Sequence, residues 1–249
     1  MLLKRYTLCA GFNPTGSASA STDGQADFPG DAAAIIRVSG PLTRDSWWRG
    51  IPVTYLVSLL KEVEATGDYG AAILDLNSPG GDVSSVASAL DYLAAPSRRL
   101  KVYSSVEMAA SAAYWIASHT DGVYLQNDIS ACVGSIGTMI SWSNFDGIYE
   151  KAGAVITDIY PEESPLKNAA ERAAQKGDYE PYKKMLSQFA RKFQDSVRAV
   201  RPNVTEDALK GEIFIGRAGI DAGLADGIVP LDALVEKIQA AGQLRNQLK

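Results

Sequence analysis

The chain has 249 residues, 46% of them hydrophobic, enough to bury a sizeable core in one large domain or two. Its net charge of -5 and pI near 5.0, with no long basic run, exclude nucleic acid as a main partner, since that binding rests on neutralising phosphates. The two cysteines, Cys9 and Cys132, are far apart and lack metal-ligand spacing, which argues against a disulfide scaffold and for a reducing compartment.

The opening MLLKRYTLCAGF has neither the long apolar core of a secretion signal nor the length of a membrane span, and no later stretch supplies the roughly 20 apolar residues a span needs. A soluble, cytoplasmic protein without a membrane anchor is expected. Residues 12–31 are rich in Ser, Gly, Ala and Asp, so residues 1–31 read as a flexible N-terminal arm. The folded body is expected from Ala32, where AAAIIRVSGPL reads as a strand stopped by Gly40 and Pro41. Trp47 and Trp48 follow in a loop, as packing or a subunit contact.

In residues 53–65 the positions Val53, Leu56, Val57, Leu60 and Val63 recur at helical intervals and predict an amphipathic helix. AAILDLNSPGGDVSSVASALDYLAA predicts a buried strand, a Gly-rich turn and a second helix, with Asp82 or a neighbour as its cap. LKVYSSV is the next strand, followed by an Ala-rich helix with Ser111 at its first turn, then DGVYLQN as a further strand. The alternation of strands and helices predicts an α/β domain with largely parallel pairing.

Beyond Asp128, ISACVGSIGTMISW reads as irregular chain or a short strand that feeds a helix over SNFDGIYEKAG. AVITDIY is expected as a strand, and PEESPLKNAAE as a loop. Residues 179–200 form the most strongly helical stretch, with Tyr182, Met185, Phe189, Phe193 and Val197 on one side as core or subunit interface. Thr205 is expected to cap a short helix. Turn-rich IFIGRAGIDAGLADGIV and a polar terminal helix complete the chain, and residues 239–249 read as a polar tail. Cys132 reads as a small buried apolar residue.

Two features converge on possible chemistry. Ser111 sits where a strand gives way to a helix, next to unpaired backbone N–H groups and the positive end of the helix dipole, a place where an oxyanion can be held. An isolated serine in that position is more often a cap. NSPGG at 77–81 ends the neighbouring parallel strand, and Gly80 and Gly81 let the backbone approach a bound group. The N–H groups of Gly81 and Ala112 are therefore candidate oxyanion donors, although a Gly-Gly pair alone is usually just a turn.

A hydrolytic serine needs a base. His119 is the sole histidine, but eight residues along the same helix displace it from Ser111 by about 12 Å, so its simpler role is a dipole contact at the helix C-terminus. The base must then be a lysine whose charge is disfavoured by burial. Lys167, in a loop beside an Ala-rich helix start, is preferred slightly over Lys151 and Lys101.

These residues resemble the S49 serine peptidases, which comprise the signal peptide peptidase A group and phage capsid relatives. NSPGG (77–81), AASAAYWIAS (109–118), GSIGT (134–138) and FIGRAGIDAGLADGI (214–228) match the family landmarks in order, with the peptidase domain spanning 32–238. The resemblance implies Ser111 as nucleophile, Lys167 as general base, Ser135 as the residue that orients the lysine, and Gly81 and Ala112 as the oxyanion hole. Ala112 and Ala113 replace the two glycines that follow the nucleophile in most members. The implied fold is a ClpP/crotonase-like spiral of ββα units with C-terminal helices for oligomerisation. The implied assembly is a homo-oligomer, an octameric ring with sites shared between protomers. No cofactor and no metal are expected.

The leading expectation is a Ser-Lys endopeptidase of the phage prohead type. It would act on polypeptide in the host cytoplasm or immature capsid, with scaffold, portal and capsid proteins as partners. The alternatives are a signal peptide peptidase-like enzyme that degrades membrane-derived peptides, a crotonase-type acyl-CoA enzyme, and a non-catalytic assembly protein.

Overall fold

The computed structural model describes residues 5–9, 32–46, 48 and 50–247, with side chains described between 32 and 241. The chain divides into two compact units, Met1–Gly137 with Phe193–Lys249, and Thr138–Lys192.

The first unit opens with β1 (Arg5–Cys9) and β2 (Ala32–Ser39), followed by the short strands β3 (Leu42–Thr43) and β4 (Ile51–Pro52) and helix α1 (Val53–Thr66). Next come β5 (Tyr69–Ser78), α2 (Ala87–Ala94), β6 (Lys101–Ala110), α3 (Ala112–Ser118), β7 (Gly122–Leu125) and β8 (Cys132–Gly134). The second unit holds α4 (Asp146–Lys151), α5 (Ala169–Gln175) and the start of α6 (Glu180–Val200). After α6 the first unit resumes with β9 (Ile213–Ile215), α7 (Arg217–Asp221), β10 (Gly227–Ile228) and α8 (Leu231–Gln247).

The main sheet runs β1-β2-β5-β6-β7-β10, with β8 attached to β6 and β9 to β8. Its pairings are parallel except β8 with β9. Such a sheet is stable only when both faces are covered, which is why its strands read as apolar runs. On one face Ile36, Val38, Leu74 and Leu76 pack with Leu56, Leu60 and Val63 of α1; on the other Ala33, Ile35 and Ile73 meet Val229, Leu234 and Val235. Alternate residues of β2 and β5 thus serve two clusters, as a period of two requires.

β6 is the branch point of the sheet. Its first part pairs with β7 through Tyr103–Val106, and its last part pairs with β8 through Met108–Ala110. Asn127 makes the exchange possible: its Oδ1 accepts the N–H groups of Ile129, Ser130 and Ala131 and turns the chain out of line with β7. Opposite β5 the register skips Glu107, since Leu76 faces Val106 and Asn77 faces Met108. That extra residue bends β6 as a bulge does, and the Asn127 and Ser130 side chains donate to its carboxylate.

Several expectations change. The sheet does not begin at Ala32, because residues 5–9 pair in parallel with β2; the rest of the expected arm, and Trp47, lie outside the described residues. Trp48 is exposed. Asp82 precedes a short 3-10 turn (Val83–Ser85) and makes no side-chain capping bond. The terminal helix runs on through Gln247. Thr205 does cap, its Oγ1 accepting the Ala208 N–H at 3.3 Å ahead of a single 3-10 turn.

In the second unit AVITDIY is not a strand; Val155, Ile156 and Ile159 are exposed, because alternation makes a strand only where a neighbour offers a ladder. Among the described residues, Ala174 is the one fully buried apolar residue of this unit. Polar and aromatic ties organise it instead: Glu171 accepts from Trp142 Nε1 at 2.9 Å and from the Tyr182 hydroxyl at 2.6 Å, and Trp142 stands edge-on to Tyr179. The apolar stripe of α6 is correspondingly split. Phe193 and Val197 are core, whereas Met185 and Phe189 remain exposed.

Candidate active site

β6 carries the chain to Ala110, and α3 starts at Ala112, so Ser111 is the whole connection. It adopts φ 52° and ψ -124°, a region costly for any residue with a Cβ. Bonds at both ends hold it there: its N–H donates to the Gly134 carbonyl at 2.9 Å, and its carbonyl accepts the Trp115 N–H at 2.9 Å. The half-buried side chain is thus carried at the edge of the sheet from which α3 departs.

The glycine turn after β5 abuts this elbow. A Cβ on Gly80, whose φ is 94°, would fall 2.8 Å from Ser111 Cβ, 2.8 Å from the Ala112 nitrogen and 2.6 Å from the Ala110 carbonyl. Only glycine lets the two segments approach so closely. Gly81 is equally constrained from the other side, where Leu42 leaves no room for a Cβ. Leu42 forms a parallel bridge to Gly81 in which its N–H donates to the Gly80 carbonyl at 2.7 Å and its carbonyl accepts the Asp82 N–H at 3.0 Å. That pattern uses the neighbours' groups and leaves the Gly81 N–H outside the bridge. The Ala112 N–H is at the first position of α3, where no intrahelical acceptor exists. Two donors of the kind an oxyanion needs therefore flank the elbow. Leu42, which seats one of them, carries no sequence signal beyond the preceding Gly40-Pro41 stop.

Ser135 joins the same edge. Gly134 is the register partner of Ala110, so Ser135 follows β8 as Ser111 follows β6, and it too has positive φ, 55°. Its N–H donates to the Glu212 carbonyl at 2.7 Å. The neighbouring Cys132 is buried, and burial, followed by the Glu107 carboxylate, pushes its thiol pKa up. A thiol so shifted makes a poor nucleophile.

Ser111, Ala112, Gly81 and Ser135 thus belong to one constellation in the first unit. Lys167 belongs to the second unit, in the turn before α5 where its N–H donates to the Ser164 carbonyl at 3.1 Å, and its side chain is exposed. Lys101 stands at the opposite end of β6 from Ser111, bound to Asp121 at 2.7 Å, and a ten-residue strand separates the two by about 30 Å. Lys151 is exposed at the end of α4.

His119 is no base for Ser111, since it lies at the far end of α3, but the dipole role is not what holds it there. Burial lowers its pKa and favours the neutral ring. Nδ1 lies 3.0 Å from the Trp115 carbonyl and Nε2 lies 3.1 Å from Ser196 Oγ.

A mostly parallel sheet that branches at a strand leading into a helix elbow is the ClpP/crotonase-like class of α/β fold. Two solved structures of a 1510-N membrane-bound stomatin-specific protease share it. One, a serine-to-alanine mutant, has a TM-score of 0.53 at 12% identity over 84% of this chain and 86% of its own. The other, a lysine-to-alanine mutant in complex with a substrate peptide, has a TM-score of 0.52 at 13% identity over 84% of this chain and 80% of its own.

Within that class the chain belongs to peptidase family S49, whose model matches residues 94–245. It is 28% identical over 178 residues to a putative signal peptide peptidase SppA of Enterococcus faecium, covering 68% of this chain and 50% of that protein. It is 26% identical over 213 residues to the head-tail preconnector protein GP5 of Enterobacteria phage P21, covering 83% and 41%. The capsid assembly protease C of Escherichia phage lambda is 24% identical over 188 residues, covering 70% and 40%. The chain therefore spans half or less of the length of these three relatives.

Proposed function

We propose that the chain is a serine endopeptidase in which Ser111 is the nucleophile and Lys167 the general base. The observation that carries this reading is the positive-φ elbow at Ser111, a strain kept in place beside two backbone N–H donors. Ser111 Oγ bonds to the carbonyl carbon of the scissile peptide as its proton passes to the neutral Lys167 amine. The carbonyl oxygen, now negative, is held by the Gly81 and Ala112 N–H groups. The lysine returns the proton to the amine leaving group as the C–N bond breaks, and water then releases the acyl group by the same path. Ser135 orients the amine. No metal or cofactor enters these steps.

A lysine serves as base only where burial disfavours its charge. The exposure of Lys167 in the single chain favours a site completed on assembly, by a homo-oligomeric ring in which serine and lysine come from neighbouring protomers. Similarity to the phage proteins GP5 and capsid assembly protease C favours capsid maturation, with scaffold, portal and capsid polypeptides as substrates. Similarity to SppA favours a second reading, degradation of membrane-derived peptides. Among the described residues no helix is long and apolar enough to cross a membrane.

The test is acylation of the assembled chain by a β-lactone probe, read by intact mass, with peptide turnover alongside. Labelling at Ser111, its loss in Ser111→Ala, and loss of turnover in Lys167→Ala are expected. Unchanged turnover in Lys167→Ala would overturn the assigned base. Cleavage of capsid and scaffold polypeptides against released signal peptides separates the two biological readings, and turnover of acyl-CoA thioesters instead would point to crotonase chemistry.

A further inference from the structure

Trp115 lies one helical turn beyond Ser111, and all its polar groups are engaged. Its backbone N–H donates to the Ser111 carbonyl at 2.9 Å, and its carbonyl accepts the Ser118 hydroxyl at 2.8 Å and faces His119 Nδ1 at 3.0 Å. Its indole N–H donates to Ser196 Oγ at 2.8 Å, and its ring stacks on Phe193 with centroids 4.3 Å apart and planes 6° from parallel. Phe193 and Ser196 both lie in the part of α6 that belongs to the first unit.

The donors settle who gives what. An indole N–H can only donate and a carbonyl can only accept, so Ser196 Oγ accepts from Trp115, His119 Nδ1 donates to the Trp115 carbonyl, and in the neutral ring Nε2 is left to accept the Ser196 proton, 3.1 Å away. The three side chains form a closed neutral relay between α3 and α6, and one of its members is bonded directly to the residue that bears the nucleophile.

We propose that His119 is a positioning residue for Ser111: through Ser196 and Trp115 it fixes the roll of α3 against α6, and with it the aim of the Ser111 side chain and the Ala112 N–H. The inference rests on the reading of Ser111 as nucleophile. α3 has only seven residues, so a rotation at Trp115 reaches the elbow undamped. A second proton on His119 turns Nε2 from acceptor to donor, so the Ser196 hydroxyl must swing its own proton away and accept from both rings, which changes the directions of the bonds that seat Ser196 between α3 and α6. Burial disfavours that proton. The carboxylates on the surrounding elements are engaged by arginine and lysine, while Arg191 and Lys192 of α6 are exposed. Asp195 and Glu206 pair with Arg198, and Asp121 pairs with Arg98 and Lys101. Ser104 and Thr120, which adjoin the same helix end, are neutral.

His119 is the chain's sole histidine, so its ring nitrogens give unambiguous NMR signals in the full-length protein. The expected result is the Nδ1–H tautomer, titrating below the ordinary 6.5, with both properties altered in Ser196→Ala. In parallel, the rate of Ser111 acylation by the β-lactone probe is followed against pH. The parent chain should lose rate at the pH where His119 titrates by NMR, in addition to the limb set by the general base. His119→Gln, which keeps an acceptor towards Ser196 but does not titrate, should lose that additional limb. Trp115→Phe keeps the stack, loses the indole donor, and should acylate about tenfold more slowly at every pH.

Persistence of the same limb in His119→Gln, or in His119→Asn should the first variant not fold, would overturn the proposal. So would a Trp115→Phe rate equal to the parent's, or an Nε2–H tautomer. If the parent chain is not acylated at all, the nucleophile reading fails, whereas the NMR arm still reports on the relay.

Discussion

The Ser111 N–H donates to the Gly134 carbonyl at 2.9 Å, which ties the elbow residue to the end of β8 while its carbonyl ties it to α3. Relaxing the elbow while keeping that bond is therefore possible with glycine and impossible with alanine. Ser111→Gly is expected to be more stable than Ser111→Ala by about 1 kcal/mol, since removing Cβ relieves a cost of roughly 1–3 kcal/mol and glycine adds back somewhat less in unfolded-chain entropy. Urea denaturation of both variants checks this, and equal midpoints would mean the elbow is unstrained. Neither variant is expected to acylate.

Gly80→Ala should be more damaging than its size suggests. The added methyl would meet backbone atoms of Ala110 and Ala112 at 2.6 and 2.8 Å, where nothing flexible can yield. We expect a loss of about 2 kcal/mol in stability and at least a roughly tenfold slower acylation of whatever remains folded. Thermal melts and the labelling rate measure the two effects separately.

Acid should weaken the fold in two stages. His119 has a lowered pKa, so its contribution is complete above the unfolded value of 6.5 and falls away as pH drops towards the folded one. Asp121 has a lowered pKa as well: burial opposes the shift, but bonds from Arg98, Lys101 and the Val102 N–H outweigh it. Its contribution is complete above 3.8 and is lost as pH falls further. Denaturant midpoints measured from about pH 8 to about pH 3 should decline in both intervals. His119→Gln should flatten the upper one, and Asp121→Asn the lower one.

The core on the α1 face should behave conventionally. Leu60 is 1% exposed and packs beneath the sheet, so Leu60→Ala is expected to cost about 2–5 kcal/mol. A cost under about 1 kcal/mol by urea denaturation would contradict the packing described.

The second unit offers a test of assembly. Val155, Ile156 and Ile159 are exposed large apolar residues in a unit where, among the described residues, Ala174 alone is buried. Replacing all three with serine is expected to shift the chain towards monomer in light scattering and to reduce peptide turnover with it, provided the base is supplied across subunits.

The sequence made the central elements legible because their signals are local. β5 and β6 are apolar runs that end in small residues, and α1 repeats its apolar positions at helical spacing. Ser111 stood out because a strand and a helix meet at it. What stayed hidden depends on distance along the chain. β1 reaches β2 across 22 intervening residues, and a short polar strand gives no hint of where it pairs. The 154–160 segment has a strand's alternation but no neighbour to complete it. His119 looked like a helix terminus because Ser196, which its Nε2 meets, is 77 residues away. Leu42, whose bridge seats Gly81, belongs to a two-residue strand below any periodicity.

The branching of β6 has a consequence for how the molecule comes apart. The stretch that leads into Ser111 is flanked on one side by β8, three residues long, while the earlier part of the same strand lies deep in the main sheet. Fraying of that small branch unseats the elbow and leaves the body intact, so amides of 108–110 and 132–134 should exchange with solvent well before those of 102–106. Reactivity would then vanish at a denaturant concentration where most of the protein is still folded.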